Sequence, residues 1–268
     1  GALTKTGAGT LFITGTNTYA GGTAINGGTV SVSSDANLGD AAGALSLDGG
    51  TLRNSAAFAS ARGVTLGSGG GTFDTVDDLT LSGSIAGAGA LTKTDAGALV
   101  LAADNTYAGG TTIAGGVLQL GNGGNAGSRL GDVLNNGTLV FDRADTASLA
   151  GVISGSGALE QQGSGTTVLT GANTYARPTA VRAGSLVVNG DQSAATGDTS
   201  VDSGGTLGGK GTVGGDVNVA GGGTLSPGDV GSAPGTLAVK GSLALSDTSN
   251  LDIDLGQANV VGGPLNDL

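Results

Sequence analysis

Two stretches of the chain are nearly the same sequence, and they decide the fold. Residues 1–32 read GALTKTGAGTLFITGTNTYAGGTAINGGTVSV, and residues 89–120 read GALTKTDAGALVLAADNTYAGGTTIAGGVLQL. The two align without gaps and share 19 of 32 residues. Residues 157–188, GALEQQGSGTTVLTGANTYARPTAVRAGSLVV, form a third and more divergent copy. Internal repeats of this kind are typical of proteins that stack one structural unit many times.

The repeats share an Asn-Thr-Tyr-Ala segment, which contains all three tyrosines of the chain. Its candidate site positions are Asn17, Tyr19, Asn105, Tyr107, Asn173 and Tyr175. A ladder of tyrosine rings would suit carbohydrate binding. Alternatively, the segment is a turn in which Asn bonds to neighbouring backbone and Tyr covers the corner. The copies lie several coils apart, so their rings cannot stack directly, and this favours the turn.

The local pattern between these segments is that of β-strands. Apolar residues alternate with polar or small ones over short runs such as residues 29–32 and 243–245. Gly, Asn, Asp and Ser interrupt the runs at intervals of about five to ten residues, which is the spacing of strands and turns. No segment shows a 3.6-residue apolar period over the length of a helix.

A parallel β-helix explains the repeats better than other all-β folds. A propeller needs four-stranded blades of about 40–50 residues, usually with periodic aromatic residues. The copies here start 88 and then 68 residues apart, and only 3% of the residues are aromatic. A sandwich does not explain the internal identity. The sequence therefore predicts an all-β parallel solenoid of about 10–13 coils, each of about 20–25 residues.

The sequence pattern of the repeat changes near residue 190. Residues 1–190 contain the three Asn-Thr-Tyr units, whereas residues 191–268 contain a shorter Gly-Gly-Thr-Leu pattern at 204–207 and 222–225. No Pro/Ser-rich linker separates the two regions. We therefore expect residues 191–268 to continue the coils of residues 1–190.

The composition excludes several classes of fold and site. The chain has 57 glycines among 268 residues, but they lack the three-residue period of collagen, and 38% hydrophobic residues argue against disorder. Without Cys or His there can be no disulfide, no Cys/His zinc site and no Ser-His-Asp triad. A net charge of −11 argues against nucleic acid as a partner. No run is long and apolar enough for membrane insertion, and no cofactor is predicted.

The Asn-Thr-Tyr units resemble the autotransporter-associated β-strand repeat, also called the passenger-associated transport repeat. The match is close in residues 1–32 and 89–120. The third copy departs from the pattern, with Glu160–Gln162 in place of Thr-Lys-Thr and Arg177-Pro178 in place of Gly-Gly. The resemblance implies a right-handed parallel β-helix in an exported passenger. It also implies, as partner, the passenger's own C-terminal outer-membrane β-barrel, which lies outside this chain. The lack of Met also suggests a fragment of a longer passenger.

One carboxylate pair is a candidate for catalysis. Asp252 and Asp254 lie two residues apart on an alternating run, which would place their side chains on one face about 7 Å apart. That spacing is compatible with inverting glycoside hydrolysis. The alternative is a solvated acidic face opposite inward-pointing Leu251, Ile253 and Leu255. No third acid or aromatic residue nearby supports catalysis, so we predict that this segment is not an enzyme.

The predicted function is a structural stalk that supports export and display of a passenger outside a Gram-negative cell, tethered to the outer membrane or released. The first alternative is an adhesin surface for a host protein or glycan, with candidate loops at residues 121–129, 189–200 and 228–234. The second is a polysaccharide-active enzyme that uses Asp252 and Asp254.

Overall fold

The chain folds as a parallel β-solenoid. The computed structural model describes residues 1–127, 131–229 and 234–254. It is all-β, with about 2% helix and about 11 turns. The predicted fold class and coil number are therefore confirmed. The chain divides into two compact units, Gly1–Leu139 and Val140–Leu268. The predicted change of pattern near residue 190 stays a prediction.

Three strand positions recur along unit 1, and each builds a sheet. Sheet A comprises Leu3–Lys5, Thr23–Ile25, Leu45–Leu47, Val64–Leu66 and Ile85–Gly87. Sheet B comprises Thr10–Ile13, Thr29–Val32, Gly50–Asn54, Gly71–Thr75, Leu91–Thr94, Thr111–Ile113 and Val133–Asn135. Sheet C comprises Phe58–Ser60, Leu79–Leu81, Ala98–Leu101 and Val117–Leu120. Strand Thr138–Phe141 spans the boundary of the units, and a 3₁₀ helix occupies Asp35–Leu38.

Unit 2 has the same construction. Sheet D comprises Ala158–Gln161, Thr179–Val181, Thr199–Val201, Val217–Val219 and Leu243–Leu245. Sheet E comprises Thr146–Leu149, Thr166–Leu169, Gly184–Val188, Gly205–Gly209, Thr224–Pro227 and Asn250–Leu251. Sheet F comprises Asp191–Gln192, Thr212–Val213 and Ala238–Val239, and a short strand occupies Ile153–Ser154.

Each strand pairs in parallel with a strand about one coil further along the chain. Leu45 lies beside Val64, and Val64 lies beside Ile85. These three side chains are at most 2% exposed. Burying an aliphatic side chain of this size stabilises a fold by about 1.5–3 kcal/mol relative to exposure. Columns of stacked aliphatic residues therefore form the core, and a narrow core leaves little room for aromatic rings.

Short acidic side chains link neighbouring coils at the corners. The Asp48 carboxylate accepts the N–H of Gly69 at 2.7 Å, and the Asp216 carboxylate accepts the N–H of Ser242 at 2.7 Å. At a corner the backbone ladder is interrupted, so a side-chain oxygen takes the place of a carbonyl. Aspartate is short enough to reach the adjacent coil while its own backbone stays in the turn. This use of carboxylates fits the composition, in which all but one of the 21 acidic residues are aspartate.

Candidate functional site

Each Asn-Thr-Tyr repeat builds two stacked coils. In the first copy, Leu3–Lys5 pairs with Thr23–Ile25, and Thr10–Ile13 pairs with Thr29–Val32. The second and third copies pair their four strands in the same way. The Asn-Thr-Tyr-Ala segment connects the lower coil to the upper one, so we call it the Asn-Thr-Tyr corner.

The asparagine of the corner caps a strand of the preceding coil. Asn105 Oδ1 accepts the N–H of Ile85 at 2.8 Å, and Thr106 N–H donates to the carbonyl of Ile85 at 2.8 Å. In the third copy, Asn173 Oδ1 accepts the N–H of Ile153 at 2.7 Å. Both asparagines are buried. The carboxamide thus stands in for a backbone carbonyl at the residue where the strand begins.

The tyrosine of the corner is anchored by a threonine four residues later. The Tyr19, Tyr107 and Tyr175 hydroxyls lie 2.8, 2.7 and 2.7 Å from the Oγ1 of the corresponding threonine. Tyr107 and Tyr175 are 1% and 3% exposed, and burial raises the pKa of Tyr175 to about 12. A ring buried to this degree cannot stack on a sugar, so in these two copies the ring serves packing.

The first copy is more open than the other two. Tyr19 and Asn17 are only half-buried, and Asn17 Nδ2 donates to the carbonyls of Gly15 and Asn37. Gly39 lies against the ring of Tyr19 with a φ of 88°. A Cβ at Gly39 would lie 2.6 Å from Cε2 of Tyr19, so glycine is required there by space and by backbone conformation.

A buried lysine at the turn that follows strand Leu91–Thr94 was not identified from the sequence. Lys93 is 0% exposed, and its Nζ donates to the carbonyls of Thr94, Asp95 and Gly115 at 2.8, 2.8 and 3.2 Å. The first two carbonyls belong to the lower coil of the repeat and the third to the upper coil. The ammonium therefore ties the two coils together. The sequence feature that could have indicated this role is the recurrence of lysine at the equivalent positions 5 and 93 of the first two copies.

The third copy has glutamine at the position of this lysine. Gln161 Nε2 donates to the carbonyl of Gly163 at 2.8 Å, and its Oε1 accepts the hydroxyl of Thr167 at 2.6 Å. Glutamine therefore fills the equivalent turn of the third copy without a charge. Lys93→Gln is consequently a substitution that the fold already accommodates elsewhere.

We expect Lys93 to make stability depend on pH. Burial lowers the pKa of Lys93 from 10.5 to about 8, although Asp95, Asp74 and Asp78 lie near enough to oppose the shift. Between these values the unfolded chain keeps a proton that the folded chain has lost, so the free energy of unfolding rises with pH. Thermal unfolding monitored by circular dichroism should show a higher Tm at about pH 9.5 than at about pH 7.5.

Lys93→Gln is the control for this prediction, because it removes the titrating group and keeps a hydrogen-bond donor. The rise in Tm should be absent in this variant. The measurements stay below pH 10, where the raised pKa of Tyr175 does not yet contribute. Equal pH dependence in the parent chain and the variant would contradict the assignment to Lys93.

A second internal cation fixes the loop after the first repeat. Arg62 has a 2% exposed side chain, and its Nε donates to the Asp35 carboxylate at 2.8 Å. Its other N–H groups donate to that carboxylate and to the carbonyls of Asp35, Gly39, Asp40 and Gly43. One guanidinium thus holds the 3₁₀ helix and the turn that follows it.

The carboxylate pair lies beyond the end of a short strand. The alternation of residues 251–255 predicts a longer strand with Leu251 inward, but the strand covers only Asn250–Leu251 and Leu251 is 50% exposed. Leu251 pairs in register with the buried Leu225, so it lies on the predicted face, but it is exposed because no described coil covers its side chain. The neighbouring strand ends at Pro227, which has no N–H to continue the ladder. Leu255 lies outside the described residues.

Asp252 and Asp254 are both exposed, and the Ser226 hydroxyl lies 3.4 Å from the Asp252 carboxylate.

A shallow groove of about 360 Å³ in unit 2 includes one carboxylate, that of Asp202. Within the described residues, no group of three or more Asp or Glu side chains could hold a metal ion. No described helix is long and apolar enough to cross a bilayer.

The candidate binding loops are partly described. Residues 122–125 are exposed, whereas residues 128 and 129 lie outside the described part. In the loop at 189–200, exposed residues alternate with buried ones such as Gly190 and Gln192. Residues 230–233 of the third loop also lie outside the described part.

Comparison with known proteins identifies the repeat. The model of the passenger-associated-transport-repeat family matches residues 3–32, 91–120 and 159–188, which are the three two-coil units. The chain is also 45% identical, over 205 residues, to a protein of Brucella suis biovar 1 (strain 1330) named "Adhesin BmaC autotransporter". The two matches support an autotransporter passenger that carries three of these repeats. The resemblance inferred from the Asn-Thr-Tyr units is thereby confirmed.

The passenger segment corresponds to a small part of that relative. The alignment covers 75% of the segment and 6% of the Brucella protein. No solved structure matches the segment. The similarity supports a location at the cell surface or in association with the outer membrane of a Gram-negative bacterium.

Proposed function

We propose that the segment is a structural stalk that supports export of its passenger and displays it outside the cell. The observation that carries this proposal is the two-coil repeat, in which strands pair with strands about twenty residues away. Leu3 pairs with Thr23 and Leu91 with Thr111. Solenoid coils contact mainly their neighbours, so each coil can fold on the one before it.

The Asn-Thr-Tyr corner supports the same proposal. Asn105 and Asn173 each satisfy a strand N–H of the coil that precedes them. Stacking of a repeat on the preceding coil therefore completes the hydrogen bonds of that coil. Folding coil by coil proceeds without ATP, because burial of the core supplies the driving force. We further propose that the parent protein holds the passenger through a C-terminal outer-membrane barrel.

The experiment is deletion of the repeats in the parent protein. Removal of residues 1–190 should lower surface display, measured by antibody binding to an epitope in the remaining passenger on intact cells. The matched control replaces only the exposed residues 122–125 by Gly and Ser, which leaves the strands intact and should preserve display. Unchanged display after removal of the repeats would refute the stalk proposal.

An adhesin surface is the second candidate function, and the name of the Brucella relative favours it. If this surface lies in the segment, the purified chain binds host cells or extracellular matrix, and replacement of residues 122–125 or of the loop at 189–200 lowers that binding. Retention of binding in both loop variants would place the contact elsewhere. Nothing in the geometry of Asp252 and Asp254 favours the enzymatic alternative.

A further inference from the structure

The chain has four Asn-Gly pairs, which differ in their exposure and hydrogen bonding. They are Asn26-Gly27, Asn122-Gly123, Asn136-Gly137 and Asn189-Gly190. Asparagine is a thermally labile residue, and a following glycine leaves its side chain least hindered by a Cβ. The backbone nitrogen of the glycine can attack the side-chain carbonyl carbon of the asparagine. That nitrogen is available only where it is not held in a hydrogen bond.

In two of the pairs, the backbone nitrogen of the glycine is held in a hydrogen bond. The N–H of Gly190 donates to the carbonyl of Leu169 at 3.0 Å, and Asn189 Oδ1 accepts the N–H of Lys210 at 2.9 Å. Both reacting groups of this pair are therefore engaged. The N–H of Gly137 donates to Asn135 Oδ1 at 3.1 Å, so the attacking nitrogen of the Asn136 pair is engaged as well.

In the other two pairs, which we call the open pairs, neither the asparagine side chain nor the glycine nitrogen is held in a hydrogen bond within the described residues. Asn26 and Asn122 have exposed side chains, and the structure gives neither side chain a hydrogen bond within the described residues. The nitrogens of Gly27 and Gly123 donate no hydrogen bond there either. Gly123 has a φ of 75°, in a loop whose residues 122–125 are all exposed.

We propose that Asn26 and Asn122 are sites of spontaneous deamidation on the folded chain, whereas Asn136 and Asn189 are protected. The glycine nitrogen forms a bond to the asparagine Cγ, and the side-chain nitrogen leaves as ammonia together with the proton of the glycine N–H. Water then opens the cyclic imide at one of its two carbonyls. The product is aspartate or isoaspartate, and no oxidant or reductant is needed.

The reaction at Asn26 alters the turn that follows strand Thr23–Ile25 in the first repeat. Gly27 O accepts the Lys5 ammonium at 3.0 Å, and Gly28 has a φ of 63°. Isoaspartate adds one methylene to the backbone and displaces this carbonyl. Either product adds a negative charge to a chain with a net charge of −11. The second copy has Ala114 at the position of Asn26, so it lacks this reaction.

The test follows conversion at each asparagine in the purified chain. Samples are held in mildly alkaline buffer, with and without urea, then digested and mapped by mass spectrometry, with isoaspartyl methyltransferase as a second readout. In the folded chain, Asn136 and Asn189 should convert about tenfold more slowly than Asn26 and Asn122, the factor for one hydrogen bond that must break first. In urea the difference should disappear.

The variant Asn26→Ala is the matched control, because alanine occupies the same position in the second copy. It should remove the signal at residue 26 and leave that at residue 122 unchanged. The proposal would be overturned if Asn136 or Asn189 deamidated in the folded chain as fast as Asn26 and Asn122. It would also be overturned if Asn26 and Asn122 reacted in urea but not in the folded chain.

Discussion

Replacement of Tyr107 by alanine is expected to lower the free energy of unfolding by about 3–5 kcal/mol, as for other large aromatic side chains removed from a core. Tyr107 is 1% exposed and is among the largest fully buried side chains. Its loss opens a cavity next to the corner and leaves the hydroxyl of Thr111 without its partner at 2.7 Å. Urea unfolding followed by circular dichroism measures the change.

Two control variants separate packing from hydrogen bonding. Tyr107→Phe keeps the ring and removes only the hydroxyl, so we expect a loss of about 1 kcal/mol. Tyr19→Ala makes the same change as Tyr107→Ala in the half-buried first copy and should be milder. Equal losses for Tyr19→Ala and Tyr107→Ala would show that burial of the ring does not determine the effect.

Replacement of Arg62 by alanine should have an effect of similar size. Removing one partner of a fully buried ion pair destabilises a protein by about 3–5 kcal/mol, because the other partner is left without compensation. The Asp35 side chain is 24% exposed, so we expect a loss toward the lower end of this range. Here Asp35 loses its counter-ion, and the carbonyls of Gly39, Asp40 and Gly43 lose their donors. We expect faster amide hydrogen exchange in residues 33–44 together with a lower urea midpoint.

Arg53→Ala is the matched control for Arg62. Arg53 also pairs with an aspartate, Asp74, but its side chain is 40% exposed. Exposed ion pairs contribute about 0–1 kcal/mol, so this variant should change the urea midpoint little. If Arg53→Ala and Arg62→Ala destabilised the chain equally, the role assigned to burial would be wrong.

The solenoid could be predicted because the repeat is recognisable in the amino-acid sequence alone. Identical residues at intervals of 88 and 68, with short alternating runs between them, are hard to explain by another all-β fold. The core positions followed from the same alternation. Leu251 was the exception, because alternation indicates which residues share a face but not whether another coil covers that face.

The contacts of the corner could not be predicted in the same way. Asn105 was identified as a turn residue, but its partner Ile85 lies 20 residues earlier and is found only when the coils are stacked. Lys93 and Arg62 belong to residue types that are mostly exposed. Their burial depends on carbonyls that converge from neighbouring coils and corners, and no pattern of side chains in the sequence marks such a group of backbone atoms.

The pairing of strands about one coil apart has a consequence for how such a chain can change in length. The two intervals between repeats differ by 20 residues, and 20 is also the step from Leu3 to its partner Thr23. A duplication or loss of one such step leaves every later strand opposite a suitable neighbour. In-frame gain or loss of a whole coil is therefore nearly neutral for folding, whereas a gain of a few residues inside a strand reverses which side chains face the core. Genes for such passengers can lengthen or shorten in steps of one coil without redesign of the remaining sequence.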